Sequence, residues 1–207
     1  MFVKSLRLMS LKSVLWPAFL GAALLQPGCA APPPENSGVA RLSAEECEGF
    51  EALLVDPAFD TVSQQGSAWR FRQHAGDTSF SVTAADGQLN FERIGKEPWA
   101  TYTQKITDAR LSGRVVRYSA DLQGDISDEV THAFGAKSGL FLRVGPRPDA
   151  NMADHEPNIG SWDWQRVTVE ATVPEAFDYV EVGFIYQGGE GVLSAIAPKL
   201  ELAECSP

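Results

Sequence analysis

The stretch GSWDWQRVTVEATVPEAFDYVEVGFIYQGGEGVLSAIAPKLEL, residues 160–202, decides the fold. Val167 and Val169 alternate with Arg166, Thr168 and Glu170. After a turn at Val173-Pro174-Glu175, Val180, Val182, Phe184 and Tyr186 alternate with Glu181, Gly183, Ile185 and Gln187. The glycine-rich residues 188–191 lead tightly into a last run, 192–202. Period-two alternation between Pro and Gly turns marks half-buried strands of an antiparallel sheet. No catalytic motif falls in this stretch.

Working outward, the same pattern covers the chain from Phe50. Residues 52–55 are apolar and end at Asp56-Pro57. Residues 68–74 place Trp69 and Phe71 on one face, and residues 78–84 do so with Phe80 and Val82. Asp86-Gly87 is a hairpin signal. Leu89 and Phe91 then share a face, as do Tyr102, Gln104 and Ile106, and next Val116, Tyr118, Ala120 and Leu122. Residues 125–136 are a polar excursion. Leu140, Leu142 and Val144 oppose Phe141 and Arg143, and residues 145–161 read as one long loop. About ten short strands with Gly and Pro turns, and no long amphipathic helix, predict an all-β antiparallel sandwich or barrel in a single domain.

The first 28 residues read as an address. Lys4, Arg7 and Lys12 precede a short apolar run, residues 13–25 (SVLWPAFLGAALL), too short for a permanent bilayer span. This is the pattern of a secretory signal peptide. Residues 24–29 (LLQPGC) resemble a bacterial lipoprotein signal, which implies lipidation of Cys29. The match departs from the pattern at Gln26, where a leucine is usual, and ordinary cleavage after Ala30 or Ala31 stays open. With Ala30 after the lipidated residue, the resemblance implies the outer membrane. Residues 29–46 are Pro-rich and aperiodic at first, a tether reaching about 40 Å when extended. The domain is expected at 47–205.

Cys47 and Cys205 bracket that domain, and an exported chain predicts that they pair. Such a bridge also predicts that the last strand lies near the first. Removing the leader's three basic residues from 17 leaves 14 against 27 acidic, a formal charge of −13. With no basic patch interleaved with aromatics, this excludes nucleic acid as a partner.

Several segments together resemble the galactose-binding-like jelly roll of many carbohydrate-binding modules. They are Asp56-Pro57-Ala58-Phe59-Asp60, Trp69-Arg70-Phe71, Gln104-Lys105-Ile106, Leu111-Ser112-Gly113-Arg114 and Tyr118-Ser119-Ala120. Asp163-Trp164-Gln165-Arg166, Val173-Pro174-Glu175, residues 188–191 and Leu200-Glu201 complete the set. The likeness covers most of residues 50–202 and implies a jelly-roll sandwich; it carries the fold and not the ligand. The family's last strand usually has aspartates linked to a structural calcium, where this chain has Ile196 and Ala197. Asp56, Asp60 and Glu201 leave calcium open, although a cage needs about six to eight oxygens. No other cofactor is expected.

The ligand-binding candidates are Arg93, Trp99, Tyr102, Phe141, Arg143 and Trp162, which fall off the core phase or beside strands. Aromatic rings stack on the apolar face of a sugar, and arginine offers a fixed fork of donors. Tyr102 is also in phase with Ile106, which leaves a buried role open. Trp69 and Trp164 are expected in the core. Asp154-His155-Glu156 reads as a solvated loop. No G-x-S-x-G, H-E-x-x-H or Ser/His/Asp context is present, and no carboxylate pair is singled out. The expectation is a non-catalytic envelope lipoprotein binding a glycan or another envelope component. A structural or protein-interaction role without a sugar site is the alternative, and a hydrolase the third reading.

Overall fold

In the computed structural model of the chain, residues 42–43, 47, 50, 53–62, 64–130 and 133–205 are described, and every structural statement below concerns them. The signal peptide, Cys29 and most of the tether lie outside them.

Ten strands follow in order: β1 Arg70–Gln73, β2 Phe80–Ala85, β3 Gln88–Arg93, β4 Trp99–Ile106, β5 Val115–Ile126, β6 Gly139–Gly145, β7 Ala150–Met152, β8 Gly160–Thr172, β9 Tyr179–Gln187 and β10 Gly191–Leu202. They form two five-stranded sheets, one ordered β1-β4-β9-β6-β7 and the other β2-β3-β10-β5-β8. All pairings are antiparallel. This is an all-β jelly-roll sandwich. Residues 160–202 supply an edge strand, β8, and the central strand of each sheet, β9 and β10.

Alternation explains the layers. Val116, Tyr118, Ala120, Leu122 and Ile126 of β5 face Val180, Val182, Phe184 and Tyr186 of β9, and all are buried. An aromatic stack fills one side: the Trp69 ring lies 5.6 Å from Tyr102, 6.0 Å from Phe184 and 5.3 Å from Phe59. Each fully buried side chain of this size contributes roughly 1.5–3 kcal/mol relative to exposure.

Residues 53–62, ahead of β1, form turns; the apolar run expected as a strand there instead buries Leu53 and Leu54 without pairing. Asp56 and Phe59 both adopt positive φ (55° and 60°), and the bend inserts Phe59 beneath Trp69. The Asp56 carboxylate accepts from the Asp60 and Thr61 amides, at 2.7 and 2.9 Å, and from the Thr61 hydroxyl. Burial alone would raise its pKa, but these hydrogen bonds together outweigh burial and hold it below the ordinary value. The Trp69 indole N–H donates to the Asp56 carbonyl at 2.9 Å.

Cys47 and Cys205 are bridged, with Cα atoms 5.6 Å apart. The bridge does not arise from pairing of the first and last strands, because β1 and β10 belong to different sheets. The segment before β1 crosses to the end of β10 instead, where the Leu42 amide donates to the Glu204 carbonyl at 3.3 Å. Packing therefore reaches back to Leu42, within the stretch expected as tether.

Two further details differ from the sequence reading. A three-residue strand, β7, interrupts the loop expected at 145–161. Trp164 is 38% exposed rather than in the core. Trp164 shares the outward phase of Arg166, Thr168 and Glu170; Gln165 pairs with Leu122 but Trp162 with Gly124, so an extra residue bulges between them and turns Trp162 inward.

Candidate functional site

The outward face of the first sheet is the least expected surface of the molecule. All seven residues 180–186 of β9 are buried, although only alternate ones face the core. The outward set is Glu181, Gly183 and Ile185 on β9, Thr101 and Thr103 on β4, and Gly139 and Phe141 on β6, all buried. Around them Arg70, Arg72 and Lys105 are exposed, and Trp99, Arg143, Met152 and Tyr179 are half-buried. A low-exposure centre is thus ringed by longer, more exposed side chains.

Register fixes the rows of its floor. Lys105, Glu181 and Arg143 lie side by side across β4, β9 and β6. The next row runs Arg70, Thr103, Gly183, Phe141 and Met152, and the one after it Arg72, Thr101, Ile185 and Gly139. Five strands at about 4.8 Å spacing make the face roughly 19 Å wide. Gly183 is required at the centre: a Cβ there would lie 2.2 Å from the Tyr102 carbonyl oxygen and 2.7 Å from the Thr103 Cα. The neighbouring backbone cannot yield to it, so the middle of the floor carries no side chain.

Glu181 is the notable group, at 4% exposure. Its Oε1 accepts from the Thr103 hydroxyl at 2.9 Å, while its Oε2 has no partner. A buried acceptor left unpaired costs on the order of 1–3 kcal/mol, so natural folds keep few of them. Aromatic groups stand at both ends of the floor. At one end Trp99 meets the edge of His74 at 5.7 Å, and His74 also meets Phe134 at 5.6 Å. At the other, the Lys105 ammonium sits 3.9 Å above the Tyr179 ring.

Of the six candidate ligand-binding residues, the structure brings Trp99, Phe141 and Arg143 onto this face. The other three lie elsewhere. Tyr102 points into the core against Trp69, and burial pushes its phenol pKa up. Arg93 is in phase with Leu89 and Phe91 and is 8% exposed. Its guanidinium donates to the carbonyls of Gly188 at 2.5 Å, Gly95 at 3.1 Å and Lys96 at 3.0 Å, so it pins turns rather than facing a ligand. Trp162 packs against Gly124, whose parity is that of the core residues Leu122 and Ile126. Sequence reasoning passed over Glu181, Thr103, Arg70, Arg72 and Lys105. The signal was present in the polar phase of β4 and β9, which was read as a solvated face.

A cavity of about 500 Å³ lies elsewhere, on the outward face of the second sheet among Gln123, Asp125, Ser161, Asp163, Val192 and Ser194. Its Asp125 carboxylate already accepts from the Ser161 hydroxyl at 2.5 Å. The Glu181 floor differs from it in holding a buried carboxylate oxygen without a partner, bordered by cations that form no ion pair among the described residues.

The structural calcium left open by the sequence does not fit these residues. Both Asp56 oxygens are taken by its own turn, and Ala197 at φ 48° turns its carbonyl to Arg166 Nη1 at 3.0 Å. Among the described residues no group of three or more His, Cys, Asp or Glu is placed to hold a metal ion.

No protein-family model matches the chain, and no curated protein matches it by sequence. Solved structures do match. The enzymatically active domain of bacteriophage CBA120 tailspike protein 4 aligns at TM-score 0.51 and 13% identity, over 74% of this chain and 21% of that one. TmCBM61, in complex with β-1,4-galactotriose, aligns at TM-score 0.48 and 14% identity, over 72% and 97%. A CBM22-1 xylan-binding domain from Paenibacillus barcinonensis aligns at 0.44 and 12%, over 68% and 89%. The chain spans about a fifth of the tailspike chain's length. At such identities the likeness is one of fold, and the jelly roll is the architecture of these carbohydrate-binding modules too.

Proposed function

We propose that residues 47–205 are a non-catalytic glycan-binding module, carried on a cell-envelope lipoprotein, whose ligand lies on the outward face of the β1-β4-β9-β6-β7 sheet. The observation that carries this reading is Glu181. A carboxylate oxygen withdrawn from solvent, unpaired, and set beside a glycine that leaves the floor open is an acceptor prepared for a ligand hydroxyl. The rest of the floor suits a polyhydroxylated chain. Thr101 and Thr103 supply small polar groups, the arginines supply forked donors, and Trp99 supplies an aromatic ring at one end. A protein partner would favour an apolar, aromatic-rich centre, and here Thr101, Thr103, Glu181 and Gly183 share the centre with Phe141 and Ile185. Among the outward positions of these five strands Glu181 is the one carboxylate, so hydrolysis by a carboxylate pair finds no second member there.

Affinity electrophoresis of the purified domain against a polysaccharide panel tests the site. Retention by at least one polysaccharide is expected. Glu181→Gln should weaken it by about tenfold or more, the worth of a hydrogen bond to a charged group, with the melting temperature within a few degrees of the parent. A variant that melts much lower yet binds as before would make Glu181 a structural carboxylate. No retention on any polysaccharide would favour the protein-interaction reading.

The lipoprotein half of the proposal rests on residues 24–29 and has its own test. Labelled palmitate should enter the expressed full chain and be lost in Cys29→Ser. Labelling that persists in the variant defeats the anchor, and with it the outer-membrane assignment.

A further inference from the structure

The cations of this protein are distributed unevenly, and the unevenness names the ligand. The chain carries 27 acidic residues against 17 basic ones, so carboxylates are available to neutralise every cation. Elsewhere on the surface five do so, Arg110 with Asp108, Arg117 with Glu170, Lys137 with Asp154, Arg166 with Asp121 and Lys199 with Glu201, while Lys96, Arg114 and Arg147 stand scattered without an ion pair among the described residues. The outward face of the first sheet is different. Arg70, Arg72, Lys105 and Arg143 converge on it from three strands, and none forms an ion pair among the described residues. Arg143 donates one hydrogen bond, from Nε to the Arg147 carbonyl at 3.2 Å, and Lys105 rests on the Tyr179 ring. The only opposite charge in these rows is Glu181, which is buried beneath them.

Four positive charges against one negative leave this face strongly cationic on a protein whose formal net charge is −10. Screening lets the local sign prevail. The Debye length is about 8 Å at physiological ionic strength, so acidic residues on the opposite sheet contribute little here. The geometry is also specific. Arg70 and Arg72 stand on the β1 edge and Arg143 three strands away on β6, about 14 Å across the floor at ordinary strand spacing. The cations therefore flank the Glu181–Gly183 centre on two sides.

We propose that the glycan bound on this face is anionic, a polysaccharide carrying carboxylate or sulfate groups at intervals, with its neutral hydroxyls over Glu181 and Thr103. Its acidic groups lie against Arg70, Arg72 and Lys105 on one side of the β9 centre and Arg143 on the other. The assignment rests on the glycan-binding reading and adds the charge of the ligand to it. Guanidinium forks match the two oxygens of a carboxylate or sulfate. Arginines that form no ion pair within the protein meet such a ligand without first breaking one.

The test uses the whole domain, the triple variant Arg70→Gln/Arg72→Gln/Arg143→Gln, and five probes: polygalacturonate, dextran sulfate, neutral dextran, neutral galactan and inorganic polyphosphate. Retention by polygalacturonate or dextran sulfate is expected, and which of the two binds more tightly tells carboxylate from sulfate. It should fall as salt rises, and the triple variant should lose about tenfold or more in affinity while melting as the parent does. These positions are at the rim, so the variant is expected to fold, and the single exchange Arg72→Glu gives a second reading with the smallest perturbation. Binding to dextran or galactan that the triple variant leaves intact overturns the anionic ligand and keeps the glycan site. Equal retention by polyphosphate and both acidic polysaccharides overturns the anionic glycan in favour of bare charge attraction. No retention on any probe overturns both proposals.

Discussion

Opening the Cys47–Cys205 bridge is expected to lower the unfolding free energy by about 4–5 kcal/mol, near the upper end for a single disulfide. The two residues are 158 positions apart, so the closed loop takes in nearly the whole domain, and its removal frees the unfolded ensemble by close to the largest amount available. The folded side loses as well. Without the bond, the segment ahead of β1 is held to the end of β10 by the Leu42–Glu204 hydrogen bond and by the packing of Leu42, Phe50, Leu53 and Leu54. Urea unfolding with and without reductant, repeated on Cys47→Ser/Cys205→Ser, measures the effect. The midpoint should fall and the slope rise, because a chain without the cross-link unfolds to a less compact ensemble. An unchanged midpoint in both experiments would show that the bridge contributes no stability.

Arg93→Ala is expected to destabilise the domain by about 2–4 kcal/mol while leaving glycan affinity per folded molecule unchanged. The guanidinium satisfies three carbonyls from two separate turns, and alanine reaches none of them. The most costly orphan is Gly188, the buried one. Its neighbour Gly189 is held from the other side by the Tyr186 hydroxyl at 3.0 Å, and Ser127 donates to Glu190 at 2.7 Å. The β9–β10 turn is thus gripped from three directions, and Arg93 is the longest of the grips. Thermal melts and affinity measured on the same preparation separate the two roles. A stable Arg93→Ala domain that has lost its ligand would return this residue to the binding site.

The sandwich was legible because period two survives wherever a strand has one wet face. β9 could be read residue by residue: Val180, Val182, Phe184 and Tyr186 inward, Glu181 and Gly183 outward. The same rule shows Arg93 inward with Leu89 and Phe91, but a charged residue at a strand end suggests solvent, and burial was paid for by carbonyls no sequence pattern displays. Trp162 and Trp164 were misplaced for another reason. A bulge in β8 shifts the phase by one and so turns Trp162 inward, whereas Trp164 keeps the outward phase of Arg166, Thr168 and Glu170 despite its apolar ring. β7 has three residues and too few alternations to register. The buried floor itself was hidden because Glu181, Thr101 and Thr103 look like any polar strand face. Their burial comes from neighbours on β1, β4 and β6 that are distant in the chain.

The bridge between Cys47 and Cys205 also decides how the domain meets mechanical force. A pull arriving from the N-terminal side of Cys47 passes by covalent bond to the end of β10, rather than into the turns at 53–62 and the short edge strand β1. β10 is the middle strand of its sheet and is hydrogen-bonded on both sides, to β3 and β5. Drawing it out would shear two ladders at once instead of unzipping one from the edge. On the proposed reading, a module that grips a polymer on one side and is tethered on the other is fastened at a central strand.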